Sequence, residues 1–437
     1  MKQCIWYKNK KIEETFLQRN LDEILLVFKN NGIHEKDMII CKANTYLDVY
    51  VQWMACLGNN LLPVFAFSEM TQENIINWNT KLGIKGILVS DKGQHSFYKL
   101  PGAKKTCGFL RDVEAGSVIH LTSATTGTPK LVLRTKQQLR AELIRYSNYL
   151  KVSEKDVILP IVPINHSFGF ISGMLLSTMV NATLVLPDTL LPRNIVQLSN
   201  SHKVTMMLGV PYFYRKMVEI SSKYQLNDEL RYIIASGGPM EEGLQVLFRK
   251  RFGKKLLQQY GSTETGSLAL GYSETNYNCV GNPIPGVKFE IIPDEFSRPC
   301  LYVNTSKTMG GYITENGVEW LGDKYKTGDL AILNPGGNIE ILGRCDDVLI
   351  VDGKKVDKKY VIACIKKICD ASETDLYLRK CGSATELICE YTGEKELSKE
   401  TFVNECKPLL AEFQIPKKFI HVEKISFRHN RTWKTEH

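Results

Sequence analysis

Between His120 and Leu133 the chain reads HLTSATTGTPKLVL, with five Ser or Thr, one glycine and one lysine. An apolar lead, Ser117-Val118-Ile119, comes just before it. In such a loop the hydroxyls and backbone N–H groups donate hydrogen bonds, Gly127 permits close backbone approach, and Lys130 supplies charge. That is equipment for wrapping a polyphosphate. A Ser/Thr-rich surface turn is the plainer alternative. The loop is not of the Walker type, because G-x-x-x-x-G-K-[ST] is absent.

Strands and helices must hold such a loop, and the flanking sequence alternates between them. Phe16, Leu17, Leu21, Ile24, Leu25 and Phe28 share one side of a helix predicted over Ile12–Asn30. Short buried strands are predicted at Met38–Cys41, Leu62–Phe65 and Gly86–Val89, with helices at Leu47–Leu57 and Gln72–Leu82. The pattern repeats with strands Val157–Val162, Thr183–Leu186, Val204–Leu208, Tyr232–Ala235 and Leu256–Gln259. Helices Gly169–Met179, Pro211–Val218 and Leu244–Phe252 lie between them. Alternation of this kind predicts an α/β fold with parallel sheets. From Gly281 short strands and turns dominate, and Asn334-Pro335-Gly336-Gly337 is a hairpin signal. A last segment carries helices at Tyr360–Ile368 and near Thr401–Leu410, with strands at Glu386–Tyr391 and Lys418–Glu423. The expected division is a large domain over residues 1–345, with parallel α/β subdomains and a small β-rich part, and a small α+β domain over 346–437.

Composition narrows the class. A chain of 437 residues suggests two or three domains. With 43% hydrophobic and 24% charged residues it has the makings of an ordinary globular core. No apolar run of about 18 residues is present, so no membrane helix is expected. The start, Met1-Lys2-Gln3-Cys4-Ile5-Trp6, lacks the apolar stretch of a secretory signal. Twelve cysteines without a C-x-x-C pair read as reduced core thiols of a cytoplasmic protein. The formal charge of +9 comes without zinc-finger spacing or an RNA-binding aromatic motif. It points away from nucleic acid and toward anionic small molecules or an acidic protein partner.

Further stretches accompany the hydroxyl loop in a set order: QQYGSTETG at Gln258–Gly266, YKTGDLAIL at Tyr325–Leu333 and GRCDDVLIVDGKKV at Gly343–Val356. GVP at Gly209–Pro211, SGGPM at Ser236–Met240 and GNPIPG at Gly281–Gly286 stand between. With these the chain resembles the acyl-adenylate-forming superfamily: acyl- and aryl-CoA synthetases, firefly luciferase and peptide-synthetase adenylation domains. In style it is similar to stand-alone aryl-acid adenylating ligases. The resemblance implies that a carboxylate attacks the α-phosphate of ATP, and that a thiol then displaces AMP. It implies a mobile C-terminal domain hinged near Asp346. Thr122, Ser123, Thr125, Thr126, Gly127, Thr128 and Lys130 would cover the β- and γ-phosphates. Thr263 would bond the α-phosphate, and Glu264 would hold Mg²⁺. Gly238 and Pro239 would flank adenine, with Tyr260 stacked on it. Asp329 would accept from both ribose hydroxyls, and Arg344 would reach the ribose. Outside this context Tyr260 reads as a core tyrosine, Asp329 as a turn cap and Glu264 as a solvated charge.

Three departures stand beside these matches. Ala124 and Leu131 replace glycines common in the family. The family's C-terminal Gly-Lys pair has its counterpart in Lys434, which follows Trp433. Lys434 would bridge the substrate carboxylate and the α-phosphate. The stretch VPINHSFGFISGM, Val162–Met174, contains no acid. Adenylation domains for amino acids carry one there, because a buried ammonium without a counter-charge is costly. An aryl acid such as a hydroxybenzoate is therefore expected. The resemblance to aryl- and acyl-CoA ligases places His166, a catalytic candidate, beside the acyl site, and Asn165, His166 and Ser167 would bond a phenol or the carboxylate. Phe168, Phe170 and Tyr212 would wall the acyl pocket, with Gly237 and Gly261 at its edge; core aromatics are the plain alternative for the two phenylalanines. Lys354, Lys355, Lys358, Lys359, Lys366 and Lys367 form either a solvated face or an attractive one for CoA or an acidic carrier protein. A short aliphatic acid, and a degenerate member without turnover, remain as alternatives.

Overall fold

A computed structural model describes residues 3–65, 72–102, 108–122, 130–274, 276–294, 298–305, 307–345, 348–351, 354–369, 371, 373–381, 384–393, 398–423, 425 and 433–434. The chain divides into two units. The larger comprises Met1–Ile292, Leu301–Thr327 and Ile332–Ile341; the smaller comprises Pro293–Cys300, Gly328–Ala331 and Leu342–His437.

Within the larger unit, β-branched and aliphatic runs build two sheets. In the first, Met38–Ala43 lies parallel to both Leu62–Phe65 and Gly86–Asp91, and Leu62–Phe65 lies parallel to Val118–Thr122. Polar edge strands turn antiparallel. Gly86–Asp91 returns as Gln94–Lys99 through Lys92 and Gly93, both at positive φ, as a tight hairpin requires. On the other side Val118–Thr122 returns as Lys130–Arg134, with Thr122 opposite Lys130. The next strand out is Gly311–Thr314, which hairpins onto Gly317–Trp320.

The second sheet has a parallel centre: Thr183–Leu186, Val157–Pro160, Met206–Gly209, Tyr232–Ala235 and Leu257–Ser262. Gly266–Gly271 and Cys279–Pro283 continue it antiparallel. The expected parallel α/β pattern therefore holds at both sheet centres, and the edges add antiparallel strands. Helices Glu14–Asn30, Tyr46–Gly58 and Lys136–Leu150 cover the sheets through Ile24, Phe28, Tyr50, Trp53, Leu143 and Tyr146, all buried. Lys136–Leu150 starts on a capping box, Thr135 with Gln138, of a kind that contributes about 1 kcal/mol.

The smaller unit is α+β. Thr374–Cys381 and Ala384–Tyr391 form an antiparallel pair, flanked in parallel by Trp433–Lys434 and Lys418–His421. Helices Lys358–Cys369 and Lys399–Cys406 contribute Val361, Ile365 and Phe402 to a core with Leu376, Leu378 and Leu387. Among the described residues no helix is long and apolar enough to cross a membrane.

Candidate active site

The hairpin of Leu257–Ser262 and Gly266–Gly271 bulges between Tyr260 and Gly261 and turns through Thr263, Glu264 and Thr265. A buried ion pair holds that turn. The Glu142 carboxylate accepts from Arg134 Nη2 at 2.6 Å and from the Ser267 N–H at 2.8 Å. Arg134 Nη1 donates to the Thr263 carbonyl at 3.2 Å. The two side chains are 0% and 2% exposed. Gly266 has φ +74°, and a Cβ there would meet the Glu142 carboxylate at 2.2 Å, so only glycine fits. Thr263 is thus fixed by its backbone, and its hydroxyl lies 3.1 Å from that of Ser167.

The neighbouring carboxylate is aimed by a tyrosine. Tyr312 donates its hydroxyl to Glu264 Oε1 at 2.8 Å and lies 3.0 Å from the Tyr325 hydroxyl. Burial first, then the Tyr325 hydrogen bond and the Glu264 charge, raise the Tyr312 pKa far above its ordinary value. Tyr312 therefore stays a protonated donor. Lys130 Nζ sits 4.7 Å from the centroid of the same ring, a cation–π contact. Lys130 and Thr122 face each other at the base of the hydroxyl loop. Ser123, Thr125, Thr126, Gly127 and Thr128, with Ala124, lie outside the described residues.

Asn165, Ser167 and Phe168 are half-buried and His166 is exposed at the start of a helical segment. Gly169 permits that start, because a Cβ on it would press on the Pro163 and Val162 carbonyls at 2.7 and 2.9 Å. The segment predicted as one α-helix is π-helical over Gly169–Leu175 and α-helical only over Leu176–Met179. Such π turns are frequent at functional sites. Phe170 points the other way: it is fully buried against Trp53, Phe65 and His120, a core aromatic. Tyr212 is exposed. Gly237, Gly238 and Pro239 are exposed after Tyr232–Ala235, and Gly261 is exposed at the bulge. Tyr260 is half-buried, with its ring 6.3 Å from Phe289.

His120, in the strand Val118–Thr122, is fully buried. Among the described residues neither ring nitrogen finds a hydrogen-bond partner. Burial first, then the charges of Arg134 and His166, lower its pKa to about 3, so it is neutral.

In the smaller unit Arg344 Nη1 meets Asp329 Oδ1 at 3.1 Å, with side-chain exposures of 42% and 12%. Gly328, at φ +81°, leaves room for the guanidinium, which a Cβ there would meet at 2.9 Å. Asp346 lies outside the described residues. Lys434 is described by its backbone alone, in register with Arg379. Lys358 pairs with Asp375 at 2.8 Å, and Lys366 is exposed; the side chains of Lys354, Lys355, Lys359 and Lys367 lie outside the described residues.

A family model described as AMP-binding enzyme matches residues 20–313, more than half the chain. The chain belongs to the AMP-binding enzyme family. It is 26% identical over 240 residues to the mitochondrial malonate–CoA ligase ACSF3 of Homo sapiens, covering 50% of this chain and 41% of that one. It is 24% identical over 328 residues to the 2-succinylbenzoate–CoA ligase of Bacillus subtilis, covering 72% and 66%. The chain thus spans about two fifths to two thirds of the length of these relatives. Its fold matches the O-succinylbenzoate coenzyme A synthetase of Bacillus subtilis, solved in complex with AMP, with a TM-score of 0.76. That match is 18% identical and covers 98% of this chain and 93% of the other.

Three residues that hold the Thr263–Glu264 turn are not evident from the sequence. Arg134 and Glu142 look like a strand end and a helix surface in sequence, and Tyr312 looks like one residue of a short strand. The available signal was an arginine closing the apolar run Leu131-Val132-Leu133. A charge there needs a buried partner.

Proposed function

We propose that the chain is an ATP-dependent acid–thiol ligase. It activates a carboxylic acid as acyl-AMP, releases pyrophosphate, and passes the acyl group to the thiol of CoA or of a carrier protein. The observation that carries this reading is the Thr263–Glu264 turn, clamped by Arg134 and Glu142 and aimed by Tyr312, in a member of the AMP-binding enzyme family.

In the first step a substrate carboxylate oxygen bonds to the α-phosphorus, and the bond to pyrophosphate breaks. Negative charge builds on the phosphates, so fixed donors stabilise the transition state. The Thr263 hydroxyl donates to the α-phosphate. Lys130 and the hydroxyl loop hold the β- and γ-phosphates. Asp329 and Arg344 take the ribose, and Gly238, Pro239 and Tyr260 take the adenine. The residues present fit Mg²⁺. Among the described residues no cluster of three or more metal-ligating side chains exists. Glu264 is a single oriented carboxylate, and Mg²⁺ is commonly bound by one or two carboxylates plus substrate phosphates. Bound there, Mg²⁺ would neutralise phosphate charge. In the second step a thiol sulfur bonds to the acyl carbon and AMP leaves. Lys434 serves the first step, and a turn of the C-terminal segment about Asp346 prepares the second.

For the acid we favour an aryl carboxylate such as a hydroxybenzoate. Support comes from the acid-free stretch Val162–Met174, with Asn165, His166 and Ser167 as its polar contacts. A short aliphatic acid is the second reading, favoured by Phe170, which faces the core. ATP–pyrophosphate exchange across benzoates, short mono- and dicarboxylates and α-amino acids tests both. Benzoates are expected to drive exchange best. Exchange driven best by an α-amino acid overturns the pocket reading, and exchange with no acid overturns the ligase. Lys434→Ala is expected to depress adenylation far more than thioester formation from supplied acyl-adenylate.

A further inference from the structure

Two cysteines 45 positions apart in sequence meet in the smaller unit. Cys300 Sγ and Cys345 Sγ are 3.4 Å apart. Cys300 is fully buried in the strand Pro299–Asn304, while Cys345 is half-buried directly after Arg344. The backbone around Cys345 is held on both sides. Its N–H donates to the Gly328 carbonyl at 2.7 Å, and its carbonyl accepts from Arg298 Nη1 at 3.3 Å. Arg298 also grips Asp294 through two contacts, at 2.8 and 2.7 Å.

This setting differs from that of another close sulfur pair. Cys41 and Cys56 are 3.8 Å apart and buried together. Hydrogen bonding to Cys41 first, then burial, pushes the Cys56 thiol well up, which makes it inert. Cys300 and Cys345 instead have a guanidinium beside them. The partial exposure of Cys345 lets a small oxidant reach it. Closing 3.4 Å to a bonded sulfur–sulfur length of about 2.05 Å requires a movement of roughly 1.4 Å.

We propose that Cys300 and Cys345 are a redox modification site, a dithiol that a peroxide-class oxidant converts to a disulfide. Cys345 attacks the peroxide, the O–O bond breaks, and Cys345 sulfenic acid and water form. The Cys300 sulfur then bonds to the Cys345 sulfur and expels a second water. Each thiol gives up one hydrogen, and the peroxide is reduced by two electrons. The bond draws in the residue next to Arg344, whose neighbour Gly328 carries Asp329, so the ribose pair shifts with it. That consequence rests on the ribose reading of Asp329 and Arg344; the disulfide does not.

The test uses the full chain treated with hydrogen peroxide in modest excess, quenched, alkylated and digested without reductant. The expected product is one peptide pair joined through Cys300 and Cys345, two hydrogens lighter than its parts, which dithiothreitol separates. Cys300→Ser is expected to abolish the pair and leave a dimedone-reactive Cys345. Recovery of both cysteines alkylated, or a pair joined through other cysteines, overturns the proposal. Calorimetry with ATP follows the consequence. Affinity is expected to fall severalfold on oxidation and return with dithiothreitol, and oxidised Cys300→Ser is expected to bind as the reduced protein does. Unchanged affinity in the cross-linked protein overturns the control of the ribose pair. A reduced protein that binds no ATP refutes the ribose reading instead, and the peptide map still decides the disulfide.

Discussion

Two arginine–carboxylate pairs serve the two units in opposite ways. Arg134 and Glu142 meet at 2.6 Å with almost no exposure; Arg344 and Asp329 meet at 3.1 Å with the guanidinium 42% exposed. The buried pair has every reason to stay as it is. Separating it would strand a charge in the core, and Glu142 Oε1 and Arg134 Nη1 already hold Ser267 and Thr263. In the second pair the guanidinium is reached by solvent while Asp329 is buried, so the attraction is screened from the arginine's side. The difference teaches that one charge pair can be a framework and another a latch, with burial deciding which.

The largest effect should come from breaking the framework. Arg134→Met leaves Glu142 buried without its partner and is expected to cost about 3–5 kcal/mol of stability in denaturant unfolding. Arg134→Met with Glu142→Leu should recover most of that stability yet still fail in pyrophosphate exchange, because the Thr263 turn has lost its clamp. Recovery of both would make the pair a stability element only. On the latch, Asp329→Ala is expected to leave unfolding within about 1 kcal/mol of the parent. It should weaken ATP binding by an amount on the order of 1.5–3 kcal/mol in calorimetry. An equal loss in both measurements would erase the contrast between the pairs.

A smaller effect is expected at Tyr312. Tyr312→Phe removes one hydrogen bond to Glu264, worth about 1.5 kcal/mol, and should raise the Mg²⁺ concentration needed for half-maximal exchange. Smallest is a pH effect at His120. Its folded pKa of about 3 lies below the ordinary value of 6.5, so the unfolded chain binds more protons between those values. Stability from its neutral form is fully present above pH 6.5 and is lost as pH falls toward 3. Between pH 7 and 5.5 that loss is about 1 kcal/mol. His120→Phe should flatten this part of the stability profile, and an unchanged slope would show that the imidazole titrates alike in the folded and unfolded chain.

Much of the fold was legible in the sequence. Leu62–Phe65, Gln72–Leu82, Thr183–Leu186, Tyr232–Ala235, Pro211–Val218 and Leu244–Phe252 form where the apolar runs and their flanks place them. The strands among them are central and buried on both sides, and the helices each turn one apolar face to the core. The strand Ile5–Tyr7 and the edge strand Gln94–Lys99 were not legible. Gln94–Lys99 buries no residue, and Ile5–Tyr7 takes its place by pairing with Thr183–Leu186 far along the chain. The candidate site divides in the same way. Thr263, Glu264 and Lys130 stand in short motifs and could be read directly. Glu142 acts on Ser267 across 125 positions, and Tyr312 acts on Glu264 across 48, so their roles exist only once the chain is folded.

The smaller unit is drawn from three separate stretches, and this sets an order of events during synthesis. Pro293–Cys300 and Gly328–Ala331 leave the ribosome before any of Leu342–His437 does. Until that last stretch emerges, both pieces lack the part of the smaller unit that carries its core. A chain released early at residue 341 would still carry them, together with a larger unit whose three segments are all present. Such a nascent protein would already own the Thr263–Glu264 turn and its buried clamp, but Asp329 would be waiting for an arginine not yet made.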